Sequence, residues 1–134
     1  MAELSKIFKI VLIINIIAAF IYGILYLFIP EIYAAMIESP SFSLQFWRLW
    51  GVTCLILGIM GIIGLLRNDW IQFKILFEFT ILWLLGMNIL NIIYLIDPSF
   101  IHSPTSFISE MMDVIIIFVL IALDIYIYMR ENKE

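Results

Sequence analysis

The sequence predicts an all-α integral membrane protein folded as a bundle of four transmembrane helices. Composition is the first reason: 65% of residues are hydrophobic and 13% charged, against about 45–50% and 25% in soluble domains. The second is that apolar runs of spanning length, about 20 residues, recur four times between short polar breaks. Length is the third, because 134 residues hold four such spans and leave only short loops. The chain is therefore expected to form one domain, 1–134, with no soluble module attached.

Each span has a chemical boundary. The first covers 7–29 and stops at Pro30, which cannot continue a helix. Its apolar run is longer than the roughly 7–15 residues of a signal-peptide core, so it is read as retained. The second covers 44–66 and ends before the polar turn Arg67-Asn68-Asp69. The third covers 70–96, stopping at Asp97-Pro98, and the fourth covers 107–128, before the charged tail Met129-Arg130-Glu131-Asn132-Lys133-Glu134.

Basic residues set the expected orientation. Lys6 and Lys9 precede span one, Arg67 and Lys74 flank the turn after span two, and Arg130 and Lys133 follow span four. With alternating spans, six of the seven lie on one side, and the positive-inside rule makes that side, with both termini, cytoplasmic in a cell-membrane protein. The opposite side carries Glu31, Glu38, Asp97, Glu110 and Asp113, and Arg48 is its one basic exception. Tyr26, Tyr33, Trp47, Trp50 and Tyr94 are expected near the outer interface, and Trp70, Tyr126 and Tyr128 near the inner one, as aromatic anchors. Trp83 falls near mid-membrane.

Several function classes are excluded by what is missing. The net charge of −4 comes with scattered basic residues, so neither nucleic acid nor an anionic surface is an expected partner. One cysteine, Cys54, and one histidine, His102, cannot build a disulfide framework, a haem site or a zinc site. No metal and no cofactor are expected. His102 is placed in a solvated loop in preference to a metal site with Asp97 and Glu110. No phosphate loop, nucleophile elbow or paired catalytic carboxylates occur, so no catalytic residue is assigned and the chain is not expected to be an enzyme.

The two halves resemble each other. Leu25-Tyr26-Leu27-Phe28-Ile29-Pro30 parallels Ile93-Tyr94-Leu95-Ile96-Asp97-Pro98, and Ser-Pro recurs at Ser39-Pro40 and Ser103-Pro104. Aligning Ser41-Phe42 with Ser106-Phe107 sets Gln45 opposite Glu110 and Arg48 opposite Asp113, as two similar helical hairpins would. Shared boundary chemistry gives the same likeness without duplication. Arg48 then has three readings: snorkelling to the outer interface, pairing with Asp113 or Glu110, or binding an anion, with the first two preferred.

The remaining charges suggest a second polar layer. Lys74, Glu78 and Asn88 share one face of span three, and Asp113 and Asp124, eleven residues apart, share one face of span four. Charges at such depth should face the bundle interior, stapling helices or lining an ion path, and a Lys74, Glu78 and Asp124 cluster between spans three and four is the expected form. Asn15 and Asn91 are expected to make interhelical hydrogen bonds. On span two, Gly51, Cys54, Gly58 and Gly61 form a small-residue stripe suited to close helix packing, with Gly64 off it. Room for a flat apolar ligand is its alternative use.

Tyr22-Gly23-Ile24-Leu25-Tyr26, then Trp47-Arg48-Leu49-Trp50-Gly51 and Gly58-Ile59-Met60-Gly61, resemble small four-span families of the DoxX-like kind over roughly the first half of the chain. The resemblance implies an association with respiratory or redox membrane complexes and transfers no functional residue. The expected function is that of a non-catalytic structural or accessory subunit, partnered by lipid and by other membrane subunits or copies of itself. A small transporter or channel for a proton, cation or small apolar molecule, using Glu78 and Asp124, is the alternative.

Overall fold

The computed structural model describes residues 3–133, so Glu134 of the expected charged tail lies outside them. Five helices occur in the order α1 (Lys6–Leu27), α2 (Pro30–Met36), α3 (Leu44–Arg67), α4 (Trp70–Ile96) and α5 (Pro104–Glu131), with no strand among the described residues. Four of them, all but the short α2, are long and apolar enough to cross a membrane, and the chain is a multi-pass membrane protein with a four-helix bundle.

Local chemistry sets the ends. Ser5 caps α1 by accepting the amide of Phe8, and it is in turn held by Glu131, to which its hydroxyl donates. That contact brings a carboxylate to the electropositive start of α1 and ties the two termini of the bundle together. Asn68 ends α3 in the left-handed conformation, φ 52°, a role asparagine tolerates. Asp69 then caps α4 by accepting the amides of Ile71 and Gln72, so two residues suffice to reverse the chain.

Two boundaries differ from expectation. Pro30 does end α1, but it also starts α2, where proline at the first helical position has no amide to lose. At the fourth span the helix begins at Pro104, three residues earlier than expected, because Ser103 caps it by accepting the amide of Ser106. Ser39-Pro40, the counterpart in the first half, starts no helix. The hairpins therefore share boundary residues but not their use.

Packing is uneven around the ring. α1 lies against α3 along its length and also meets α5, while α4 lies against α5. The fourth side is loose: α3 and α4 are joined by the turn yet are not packed along their lengths. The α1–α3 seam is built on glycine. A Cβ at Gly51 would sit 2.6 Å from the backbone nitrogen of Leu27, and one at Gly61 2.7 Å from the side chain of Ile16. Gly58 faces Phe20 and Cys54 is buried, so the expected stripe is the face that receives α1. Gly64, placed off the stripe, is buried as well, against the ring of Phe73 where α3 and α4 diverge from their turn.

The termini end is filled by Phe8, Val11, Leu12, Trp70, Phe73, Phe77 and Ile127. A second cluster of Leu84, Ile117, Leu120 and Ile121 joins α4 to α5 at mid-depth. Toward the end that carries α2, the interior is not filled in this way.

An acidic and aromatic cavity inside the bundle

A cavity of about 320 Å³ occupies that space, walled by all four long helices. Its volume is within the range of small-molecule sites, roughly 300–1,000 Å³. α5 contributes Glu110 and Asp113, one helical turn apart and only 9% and 8% exposed. α1 contributes Asn15, Tyr22 and Tyr26; α3 contributes Trp47, Trp50 and Cys54; α4 contributes Thr80, Trp83, Asn91 and Tyr94. Among the described residues, no lysine, arginine or histidine lines it.

The aromatic wall is continuous. Tyr26 sits at its centre, its ring 4.8 Å from Trp47, 5.4 Å from Tyr33, 6.2 Å from Tyr22 and 6.3 Å from Trp50. Trp50 reaches Trp83 at 5.3 Å, a ring contact that bridges the loose side between α3 and α4. The expected outer anchors Tyr26, Tyr33, Trp47 and Trp50 thus pack against one another, and all but Tyr33 line the cavity. Tyr33, on α2, has its hydroxyl held above the usual tyrosine pKa by burial, with Asp113 nearby adding to the effect, while a hydrogen bond with Ser109 opposes it.

Carboxylates on α5 also hold α1 in place. The Tyr22 hydroxyl donates to Asp113 at 2.7 Å, and the Asn15 amide donates to Asp124 at 2.7 Å. Asp124 is wholly buried, and its second oxygen has no hydrogen-bond partner among the described residues. Asp113 and Asp124 therefore share a face, as the spacing predicts, and that face meets α1. Asn15 makes its expected interhelical bond; Asn91 lines the cavity.

The expected groupings of charges are rearranged. Arg48 lies on the exposed surface of α3, and no ion pair joins it to Asp113 or Glu110. Gln45 is exposed too, whereas Glu110 and Asp113, its and Arg48's aligned counterparts, are buried. A helix rotated differently about its axis in each half accounts for the difference. Lys74 and Glu78 are brought together, but through Tyr128 and not through Asp124. The Lys74 ammonium lies 5.6 Å from the Tyr128 ring centroid, and the Tyr128 hydroxyl donates to Glu78. Asn88 is buried with an unpartnered oxygen.

His102 is not the freely solvated loop residue expected. Its Nε2 lies 3.2 Å from the Tyr94 carbonyl and its Nδ1 3.1 Å from the Ser106 hydroxyl. A carbonyl can only accept, so Nε2 carries a proton and donates it to Tyr94. In the same loop, the Ser99 amide donates to Asp97 at 2.8 Å and holds that carboxyl below its usual range. No group of three or more histidine, cysteine, aspartate or glutamate residues able to hold a metal occurs among the described residues.

No family model, no curated protein and no solved structure matches the chain. Of the cavity's aromatic residues, Tyr26, Trp47, Trp50 and Tyr94 are also expected interface anchors, while Trp83 is the one expected near mid-membrane. Their spacing carried the missing signal: Asn15, Tyr22 and Tyr26 share a face of α1, as Trp47, Trp50 and Cys54 do on α3. A lipid-facing belt needs no such alignment.

Proposed function

We propose that this chain is a non-catalytic membrane carrier or binding protein that takes a small, largely apolar molecule into its interior cavity. The observation that carries this reading is the cavity of about 320 Å³ lined by Glu110, Asp113 and aromatic rings. Aromatic rings and two carboxyl groups converge on this space from α1, α3, α4 and α5, the combination of apolar lining and a few polar groups that marks small-molecule sites.

An accessory-subunit role has less support. The small-residue stripe of α3, the surface best suited to a partner helix, is covered by α1 of the same chain. Basic residues at the termini end favour a cytoplasmic location for that end, and a cysteine placed at Ser99 should then react with impermeant reagents from outside only.

Fluorescence tests the carrier reading, since Trp50 and Trp83 line the cavity. Small aromatic probes, charged and neutral, should include ones that change tryptophan emission saturably in detergent-solubilised protein. Thr80→Phe, which fills the cavity from α4, should abolish the response while the fold persists by circular dichroism. Should no probe give a saturable response, or should Thr80→Phe respond like the native protein, the cavity is not a binding site.

A further inference from the structure

We infer that the cavity's ligand is an organic cation, an ammonium group on an apolar body, held between the carboxylates of α5 and the faces of the aromatic wall. The inference rests on the carrier reading and narrows it to a ligand class. Glu110 is its starting point. This side chain is 9% exposed, lines the cavity, and has no hydrogen-bond or ion-pair partner among the described residues. Asp113, one turn along, uses one oxygen for the Tyr22 hydroxyl and leaves the other uncommitted. Two carboxyl groups thus face a buried space with no positive side chain among the described residues of its lining.

A buried, unpartnered carboxylate is costly in a membrane protein and is neutralised by a proton or by a cation, so one that lines a cavity is a candidate binding group. The chain's own basic side chains do not supply the cation: Arg48 is exposed on α3, His102 is held by Tyr94 and Ser106 outside the lining, and Lys6, Lys9, Arg67, Lys74, Arg130 and Lys133 belong to the termini end. An inorganic ion fits poorly. Calcium takes six to eight oxygen ligands and magnesium demands near-octahedral geometry, whereas this lining brings together two carboxyl groups, its amide and aliphatic hydroxyl oxygens on Asn15, Ser39, Ser41, Thr80 and Asn91 belonging to α1, α4 and the loop before α3, and no group of three or more metal-ligating side chains occurs among the described residues. Ring faces favour a different cation. Their negative quadrupole attracts ammonium and quaternary ammonium groups, most strongly from tryptophan and where water is excluded.

The geometry joins the two features. Tyr22, whose hydroxyl donates to Asp113 at 2.7 Å, packs against Tyr26, which in turn packs against Tyr33, Trp47 and Trp50. An ammonium beside the carboxylates is therefore also beside the rings, and its apolar arm can extend toward Ile117, Leu120 and Phe77, which line the deeper part. A free amine and a choline-type lipid headgroup share this chemistry.

The test compares (2-phenylethyl)trimethylammonium with (3,3-dimethylbutyl)benzene, in which carbon replaces the charged nitrogen. Both are titrated into protein in neutral maltoside detergent and followed by tryptophan emission. The cation should bind at least about tenfold more tightly than the isostere. Glu110→Gln should weaken the cation by a similar factor and leave the isostere unchanged, with melting temperature and elution volume reporting the fold. Trp50→Leu gives an independent comparison should Glu110→Gln not fold, and it too should reduce the preference for the cation. Added phosphatidylcholine that displaces the cation supports the inference with a lipid headgroup as the source; saturable binding without displacement supports it with a free ammonium compound. Equal affinity for the two probes, or an unaltered preference in a folded variant, overturns the cation class and leaves the carrier reading standing. Binding of neither probe overturns both.

Discussion

Replacing Gly51 by alanine should separate α1 from α3, and the size of the effect follows from the geometry. A Cβ at this position would lie 2.6 Å from the Leu27 nitrogen, 2.8 Å from its Cβ and 2.9 Å from the Tyr26 carbonyl carbon. Ordinary contact begins near 3.4 Å, so the seam must open by about 0.8 Å against atoms that include backbone and cannot rotate away. Overpacking of this kind costs typically 1–3 kcal/mol. Alanine gains at most about 1 kcal/mol over glycine in helix propensity, and less in a micelle whose denatured reference is already helical. The net change should be destabilising. Gly86→Ala provides the control inside the same protein, because nothing lies within 4 Å of a Cβ there, so it should be neutral or slightly stabilising. Denaturation by titrated dodecyl sulfate in a mixed micelle, followed by circular dichroism and tryptophan emission, measures both. Equal effects at the two glycines would refute the close approach of α1 and α3.

Two further outcomes follow. Arg48→Ala should change stability by less than about 0.5 kcal/mol and add independently to Asp113→Asn in a double-mutant cycle, since Arg48 is exposed and unpaired with that carboxylate; a coupling energy well above that value would show that the two charges meet. Asn15→Ala should destabilise by about 1–3 kcal/mol, because it leaves Asp124, wholly buried and already lacking a hydrogen-bond partner among the described residues on one oxygen, with none on the other, and unchanged unfolding in the same mixed-micelle assay would count against that bond.

The sequence by itself determined the class, the number of spans and most of their ends. Those depend on chemistry close along the chain: run length against membrane thickness, Asp69 and Ser103 as caps, Asn68 as a left-handed terminator, and proline at the breaks. The face shared by Asp113 and Asp124 was legible for the same reason, as helical spacing is local. Tertiary structure alone decided what each face meets. In a soluble helix an apolar stripe points inward, but lipid is as apolar as a protein interior, so hydropathy barely specifies how a span is rotated about its axis. That is why Arg48 aligned with Asp113 in register and yet turned outward, why Tyr128 and not Asp124 took Glu78, and why Tyr26, Trp47 and Trp50, plausible as interface anchors, proved to wall a cavity. The cavity itself arises where α3 and α4 fail to pack along their lengths, a relation between helices that no single stretch of sequence contains.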